Sequence, residues 1–586
     1  MMTRGVMASE RQRKRRQQRR VRPPGDRTQQ LLRSGLDPDA PSALALRQLW
    51  VAPEALALRD EVRGLIMTGF PYAADPESRE PLEGVVDAAV GWDVLEQLHD
   101  YLTGRMQQLL DDRGSAEWLW WLRRLRGQFD DVNTMASTGP YVQGVAECLA
   151  AGWSRRSRPA DSPRFEFELT GVTLIDLVWL REVSILIYRL HAVMKRCAKG
   201  QRVVLVPGAL PVWEPDDDLD DAIEDYDDRS ERESANLFQS VGVSPRKRDI
   251  EQVLASDAIG GLVPQWFQAG VSSPPRFDKT DPIPTLFEWL DLDVVEPLCD
   301  QNVLTKEQVA LIALLWACFN IGVREPELAL RRLTAPIQWG YMLTGTENYL
   351  LRALDEMAEW MQQGAGRALT GCWLPQSGSE ILDVLRSIKP EVWPPLCGNP
   401  VHEAGPLSVV DLVGATRRLY ATLVRPSDGS DVNLWSAHFE SDVQAVIDAT
   451  PWRPPDPLRF LIKRIVRRRD RTTLTDIDAL AYQNGRLLLV SCKSIAFTVP
   501  ALRGEFAITR NIVGKIHDAA AAWDDTVAEV RGDPSILHSE IARDSEIEGC
   551  VAFPSVPFST DPRWRRDVFG MFPYLLSLSE LKHALA

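Results

Sequence analysis

The sequence predicts a multidomain protein whose N-terminal two-thirds are mostly α-helical and whose C-terminal part is an α/β domain with a mixed central sheet. A chain of 586 residues is long enough for about three or four domains. Apolar residues recur at helical spacing over much of residues 40–205 and 250–400. From Leu474 to Ser494, in contrast, two apolar runs flank an Asn484-Gly485 pair, which is the strongest short-range signal for a β-hairpin.

Composition and charge describe an ordinary water-soluble chain. Hydrophobic residues make up 45% and charged residues 25%, and a formal net charge of -15 argues against polyanion binding over the whole surface. The eight cysteines form no CxxC pair and no Cys/His cluster, which predicts a reduced, cytoplasmic protein without a structural zinc site. The longest apolar run, Val309 to Val323, is too short to span a bilayer, so no membrane association is expected.

The first part of the chain divides into a tail and a helical domain. Residues 1–30 are rich in Arg and offer little to bury, which predicts a disordered basic tail that either holds nucleic acid or only adds solubility. Residues 31–210 predict a helical domain. In it, Trp118 and Trp121 recur at helical spacing beside Arg123. Base stacking and amphipathic packing with a cationic outer face both account for this mixture.

An acidic segment and a second helical domain follow. Residues 211–250 contain an acidic run, Glu214 to Glu233, that lacks the Gly and the terminal Glu of an EF-hand loop, so a solvated linker is predicted. Residues 251–405 predict a second helical domain without a chemical motif or a fixed repeat. The Pro-rich stretch from Lys389 to Pro406 indicates its boundary. These helical regions are candidates for contacts with a protein partner.

Residues 406–586 predict the α/β domain. A helix is expected to start near Ser436, with Glu440 at the edge of its apolar stripe. The segment from Leu458 to Arg471 contains seven Arg and Lys residues and is expected to be a strand with a cationic flank. The remaining predicted elements are a helix over Leu407–Leu423, the hairpin, a helix over Ile508–Val530, a strand over Gly549–Phe553 and a strand followed by a helix over Tyr574–Leu585.

A type I′ turn at Asn484-Gly485 fixes the register of the hairpin. Residues two apart in a strand point the same way, so one face carries the opposed pairs and the other face is apolar or small. Two carboxylates, a hydroxyl and an ammonium are then expected on one small patch. The opposed pairs are Tyr482 with Leu487, Leu480 with Leu489, Asp478 with Ser491 and Asp476 with Lys493.

These residues resemble the PD-(D/E)XK superfamily, the restriction-endonuclease-like fold, in the style of Mrr-type restriction enzymes and Holliday-junction resolvases. Where the family has I-D-x-x-A, this chain has Ile477 to Ala481. Thirteen residues after Asp478, where the family has E/Q-x-K, it has Ser491-Cys492-Lys493. Phe439-Glu440 resembles the F-E-x-x-V of the first helix. The resemblance covers residues 406–586 and the element order of that domain.

The resemblance implies hydrolysis of phosphodiester bonds with Mg²⁺ or Mn²⁺. Asp478 would be the principal metal ligand and the backbone carbonyl of Cys492 a second, while Glu440 would hold a metal-bound water or a second metal. Lys493 would orient the attacking water and offset charge on the phosphate. Ser491 stands where the family has Glu or Gln, and Asp476 on the same face is expected to supply the missing charge.

The implied function is that of a DNA endonuclease of restriction or defence type, with the helical region recognising the substrate or a partner. RNA as a substrate and self-association into a homo-oligomer are left open. The side chains expected to hold phosphates are Lys463, Arg464, Arg467, Arg468, Arg510 and Lys515.

Two other interpretations fit the same residues. The domain can be a catalytically degenerate nuclease fold that acts as a nucleic-acid-binding or protein-interaction module, which Ser491 favours. Alternatively, Asp476 and Lys493 can form a cross-strand ion pair on a solvated hairpin, with Asp478 and Ser491 as a hydrogen-bonded neighbour pair.

Overall fold

The computed structural model describes a helical N-terminal region, a second helical unit with a small sheet, and a C-terminal α/β unit. The predicted basic tail of residues 1–30 and residues 251–303 of the predicted second helical domain lie outside the described residues. The described residues are residue 50 and residues 53–68, 83–110, 114–124, 139–153, 171–240, 304–323, 342–363, 373–391, 396–423, 432–495 and 504–586.

The N-terminal region is a helical core with a small antiparallel sheet at its side, because its apolar residues recur every three or four positions along each helix. Its helices are α1 (Pro53–Thr68), α2 (Ala88–Leu110), α3 (Ser115–Arg124), α4 (Gly139–Trp153) and α5 (Gly171–Ala198), and helix α6 (Asp217–Ser240) follows the sheet in the chain. The strands β1 (Gly84–Val86), β2 (Val203–Leu205) and β3 (Val212–Trp213) pair in the order β1-β2-β3.

The second unit contains a three-stranded antiparallel sheet packed against helices. Its elements are α7 (Lys306–Val323), β4 (Met342–Thr346), α8 (Glu347–Gln363), α9 (Gly378–Ser387), β5 (Val401–Ala404), β6 (Leu407–Asp411) and α10 (Leu412–Leu423). Strand β6 lies in the middle, between β4 and β5. From Val309 to Ala317, the apolar run lies buried in α7, as expected for a helix in a protein core.

The predicted domain boundary at residue 406 is wrong. It cuts the β5–β6 hairpin, whose Val401 and Val410 pack in the same core as Leu412 and Leu419 of α10. The predicted helix over Leu407–Leu423 is likewise a strand up to Asp411 and a helix only after it. After α10, the next residue that belongs to the C-terminal core is Phe439, so the continuous part of the C-terminal unit starts with the helix that carries Phe439.

The C-terminal unit is a mixed four-stranded sheet covered by helices, as predicted. Its order is β14-β11-β10-β9, with β9 and β10 antiparallel and β10, β11 and β14 parallel. The helices are α11 (Val432–Asp448), α12 (Asp456–Arg459), α13 (Phe506–Gly532), α14 (Glu540–Arg543) and α15 (Leu578–Leu585). The strands are β7 (Ile465–Arg467), β8 (Thr473–Asp476), β9 (Ala479–Gln483), β10 (Arg486–Cys492), β11 (Glu546–Phe553), β12 (Asp567–Val568), β13 (Phe572–Pro573) and β14 (Leu575–Ser577).

The acidic segment is a helix that docks on the C-terminal unit, so the prediction of a solvated linker is wrong over α6. Leu219, Ala222 and Ile223 share one face of this helix and are buried in the C-terminal core. Arg229 of α6 pairs with Glu580 at 2.7 Å and donates to the carbonyl oxygen of Leu575 on strand β14 at 2.8 Å. The apolar spacing of Leu219, Ala222 and Ile223 is visible in the sequence, but the many acidic residues around it favoured the interpretation as a solvated linker.

A buried ionic network joins the N-terminal region to the second unit. Arg123 of α3 is only 5% exposed and lies 2.7 Å from Asp411 and 3.4 Å from Glu147. Asp411 also accepts the backbone N–H of Gly414 at 2.9 Å, which caps α10. The expected cationic outer face of the tryptophan-rich helix is therefore wrong for Arg123, which points inward and ties three elements together.

His402 of β5 lies beside this network and should make stability pH-dependent. It is 4% exposed, and burial lowers its pKa from 6.5 to about 4. His402 has a pKa of about 6.5 in the unfolded chain and about 4 in the folded protein. Between these pH values the unfolded chain binds more protons, so the protein becomes less stable as the pH falls from 6.5 to 4.

We expect wild-type protein to lose about 2 kcal/mol more unfolding free energy than His402→Gln between about pH 7 and pH 5, since one pKa unit corresponds to about 1.4 kcal/mol. Urea unfolding at the two pH values measures the difference. His583→Gln, at an exposed position, is the matched control. Equal losses for wild type and His402→Gln would contradict the assignment.

Within the described ranges, no helix is long and apolar enough to cross a membrane.

Candidate functional site

The hairpin forms with the predicted turn and register. Asn484 and Gly485 have φ angles of 52° and 75°, which the two central positions of a type I′ turn require. Tyr482 lies opposite Leu487, and Leu480 lies opposite Leu489. Unlike the predicted one-sided hairpin, both faces of β10 from Leu487 to Cys492 are buried, because this strand lies between two neighbouring strands and is covered by helices.

Asp478 lies beside the end of β10, where the sequence placed it. The chain bends at this residue, between β8 and β9, and leaves its carboxylate next to Ser491 and Cys492. The backbone N–H of Cys492 donates to Asp478 Oδ2 at 2.6 Å, and the Ser491 hydroxyl donates to the same oxygen at 3.3 Å. The second carboxylate oxygen, Oδ1, accepts no hydrogen bond within the described residues.

Asp476 does not face Lys493. The bend at Asp478 directs the preceding residues into a separate two-stranded ribbon, in which Asp476 is exposed and lies opposite Ile465. No carboxylate of the described residues lies within 4 Å of the Lys493 ammonium. The predicted pairing of Asp476 with Lys493 is therefore wrong. The other half of the cross-strand interpretation, the hydrogen-bonded pair of Asp478 with Ser491, is present.

Lys493 follows directly after β10. Its backbone N–H donates to the carbonyl oxygen of Ala552 at 2.9 Å, which continues the parallel ladder with β11. The side chain is half-buried, and its charge favours the ionised form of Asp478. Asp478 and Lys493 thus interact electrostatically across the end of β10 without closing into an ion pair.

The environment of Asp478 raises its pKa above the usual aspartate value. Burial is the largest cause, and the charges of Asp476 and Glu440 raise the pKa further. The Cys492 amide and the Lys493 ammonium oppose this shift. The structure therefore brings Asp476, Glu440 and Lys493 into electrostatic range of one partly buried carboxylate, although they are not in contact with it.

Glu440 lies on α11, the helix that packs against β9 and β10. Its Oε2 is 3.6 Å from the Nζ of Lys463, so its nearest charged partner is a lysine of the following segment. One turn further along α11, the side chain of Gln444 accepts the N–H of Leu480 at 2.9 Å and donates to the carbonyl oxygen of Leu480 at 3.3 Å. Gln444 thereby fixes the start of strand β9, next to Asp478.

Gln444 was missed by the sequence reasoning. Its signal is its position, four residues after Glu440 and thus on the same side of the helix. A buried glutamine that bonds both backbone groups of an edge-strand residue positions that strand, but only the packing of α11 on β9 reveals which residue it meets.

The donors at this site fit a hydrated Mg²⁺ ion better than a cage of protein ligands. Among the described residues, no group of three or more His, Cys, Asp or Glu side chains converges on a common point. Mg²⁺ keeps several waters and is usually held by one or two carboxylates together with substrate phosphates. The Oδ1 atom of Asp478 offers one such ligand. The Cys492 carbonyl is expected on the same side, since the N–H and C=O of a strand residue point toward the same neighbour.

Cys492 itself is chemically inert. Its side chain is 5% exposed, and burial together with the Asp478 charge raises the pKa of the thiol. Only its backbone takes part in the site.

The predicted phosphate-binding cations do not form one surface, and the segment that carries most of them is not one continuous strand. Residues 456–459 are helical, and β7 spans only Ile465–Arg467. Arg468 donates twice to Glu529, near the C-terminal end of α13, whereas Arg510 and Lys515 are exposed near the start of that helix. Nineteen residues separate Arg510 from Glu529, which is roughly 28 Å of helix.

Comparison with known proteins found no relative of this chain. No family model matches the chain, and neither a curated protein nor a solved structure matches it.

Proposed function

We propose that the C-terminal unit is a nuclease-like domain of the PD-(D/E)XK type that hydrolyses phosphodiester bonds in DNA with Mg²⁺ or Mn²⁺. The observation that supports this most is the carboxylate of Asp478. It is partly buried with a raised pKa, is held by the end of β10, and has one oxygen without a hydrogen bond from the described residues. Burying a charge that the fold does not neutralise costs stability, and such groups cluster at functional sites.

The position in the sheet supports the same proposal. Lys493 follows the carboxyl end of β10, which runs parallel to β11 and β14, and ligands of open α/β sheets bind at that edge. A structural pair at this place would be expected to close into an ion pair, whereas Asp478 and Lys493 remain apart. Neither charge is therefore cancelled by the other in a direct ion pair.

Each side chain then has a role in hydrolysis. A bound Mg²⁺ would supply a polarised water and positive charge at the phosphate. The Asp478 carboxylate would provide the protein ligand, and Glu440, whose charge acts on Asp478, would hold a water. The Lys493 ammonium would bind the attacking water or a phosphate oxygen and offset the negative charge that develops there. Restriction of or defence against foreign DNA is the role suggested by the resemblance alone.

A second candidate function is nucleic-acid binding without catalysis. Two observations favour it. Ser491 places a hydroxyl where the family has a carboxylate or amide, and Glu440 is already paired with Lys463 at 3.6 Å. Both reduce the negative charge available to a metal, so the domain would keep the surface of a nuclease but not its reaction.

Cleavage of supercoiled and linear DNA separates the two functions. We expect cutting with Mg²⁺ or Mn²⁺, none with EDTA, and a loss of about a hundredfold in Lys493→Gln, the size of one lost electrostatic contact in a transition state. Lys582→Gln, at an exposed position on α15, is the matched control and should cut like wild type. If wild type binds DNA but never cuts it with either metal, the binding module is the correct function.

A further inference from the structure

Apolar and cationic side chains are exposed side by side on the segment that precedes Asp478. Ile465 at the start of β7 is 52% exposed, and Phe460 is 42% exposed. The guanidinium carbon of Arg464 lies 5.1 Å from the centroid of the Phe460 ring. An exposed aromatic ring that stacks with an arginine, next to an exposed isoleucine, is an arrangement that favours binding of a flat, anionic ligand.

The arginines of this surface are not neutralised. Arg464, Arg467 and Arg471 are exposed, and among the described residues no carboxylate lies within 4 Å of their guanidinium groups. The neighbouring Arg468 and Arg469, in contrast, pair with Glu529 and Asp533 at 2.7 and 2.8 Å. In a chain with a formal net charge of -15, three arginines without an ion pair in one eight-residue segment favour a polyanionic partner.

The surface adjoins the candidate site. Ile465 lies directly opposite Asp476, so both side chains, and that of Arg467 two residues on, lie on one face of the β7–β8 ribbon. Asp476 stands two residues before Asp478 in the chain. The surface therefore lies on the segment of the chain that leads into the proposed nuclease site.

We infer that Phe460, Arg464, Ile465 and Arg467 form a binding surface for unpaired bases of a nucleic-acid strand. Aromatic rings and guanidinium planes stack on bases whose faces are free, and duplex bases have no free faces. Phosphate contacts alone would explain the arginines but not the exposed Phe460 and Ile465. This inference deepens the proposed function and rests on it for the role of the neighbouring site.

Binding measured without a divalent cation tests the inference independently of cleavage. Fluorescence anisotropy in EDTA compares labelled oligo(dT) and oligo(U) of about 20 nucleotides with a duplex hairpin of equal length. We expect wild type to prefer the single strands. Phe460→Ser should weaken single-strand binding by about 5- to 100-fold, as expected for one lost stacking contact, and duplex binding by less than about twofold. Phe460→Trp should retain the single-strand affinity.

Matched variants separate stacking from charge. Tyr349→Ser removes another exposed aromatic side chain, 48% exposed, and should bind like wild type. Arg464→Gln and Arg467→Gln should each lower the salt dependence of binding by roughly 0.7 per phosphate contact. Thermal unfolding should show that all variants are folded.

Two results would overturn the inference: Phe460→Ser binding single strands as tightly as wild type, or wild type preferring the duplex. The comparison of oligo(dT) with oligo(U) shows whether the strand is DNA or RNA. If the stacking variants behave as expected but wild type does not cut DNA, only the proposed hydrolysis fails. If wild type cuts and Phe460→Ser binds normally, only the stacking surface fails.

Discussion

Asp478→Asn is expected to reduce divalent-dependent DNA cleavage by about a thousandfold, which corresponds to roughly 4 kcal/mol of transition-state stabilisation. The substitution keeps the shape of the side chain and an oxygen that can accept the Cys492 N–H, now at 2.6 Å. It removes the negative charge that a metal ion needs. The initial rate of cleavage of supercoiled DNA measures the loss.

The same substitution should leave the protein as stable as wild type or slightly more stable. The pKa of Asp478 is raised in the folded protein, chiefly by burial, so its ionised form is less favourable there than in the unfolded chain. The cost is present above the folded pKa and disappears as the pH falls below the ordinary aspartate value of about 3.9. Urea unfolding at pH 7 and at acidic pH should therefore show the variant's advantage only at pH 7.

This combination separates function from structure. If Asp478 served only the fold, its replacement would destabilise the protein and would leave the cleavage rate unchanged. Asp476→Asn, on the exposed ribbon, is the matched control and should change the rate by less than about tenfold, since Asp476 acts on Asp478 only through its charge. A thousandfold loss of the cleavage rate in both variants would instead indicate that Asp476 is a metal ligand as important as Asp478.

Arg123→Met is expected to destabilise the protein by about 3–5 kcal/mol. Arg123 is 5% exposed, and Asp411 and Glu147 beside it are 0% and 2% exposed. Removing one member of a buried ionic network leaves the others as buried charges, which costs far more than the network contributes when intact. Thermal or urea unfolding measures the loss.

A second substitution tests the cause. Asp411→Asn added to Arg123→Met removes one of the stranded charges but leaves an oxygen that can still accept the N–H of Gly414 at the start of α10. We expect the double variant to recover roughly half of the lost stability, because the stability effects of substitutions within one ionic network are not additive. Arg386→Ala, which breaks an exposed pair with Glu347, is the control and should cost less than about 1 kcal/mol. An Arg123→Met effect no larger than this control would contradict the network.

Local sequence determined the hairpin and the position of Asp478. The Asn484-Gly485 turn imposes positive φ at two positions, and this alone fixes the register that places Asp478 beside Ser491. Helix α13 and strand β11 were also predictable, because their apolar patterns are long and regular.

Only the tertiary structure decided what lies around that carboxylate. The bend at Asp478 carries Asp476 into another ribbon, and no pattern of alternation predicts a bend. Lys463 next to Glu440, Gln444 on Leu480 and Arg468 on Glu529 are contacts between elements that the sequence places far apart. Such pairings depend on how elements pack, not on local propensity.

The division of the chain into structural units was likewise decided by the tertiary structure and not by local sequence. The β5–β6 hairpin belongs to the second unit because β6 pairs with β4, some sixty residues earlier in the chain. The acidic helix α6 belongs to the C-terminal core because Leu219 and Ile223 find an apolar surface there. The sequence by itself determined where the charged residues, the turn and the periodic apolar segments lie. The free energy of burying distant apolar faces together decided which of those residues meet.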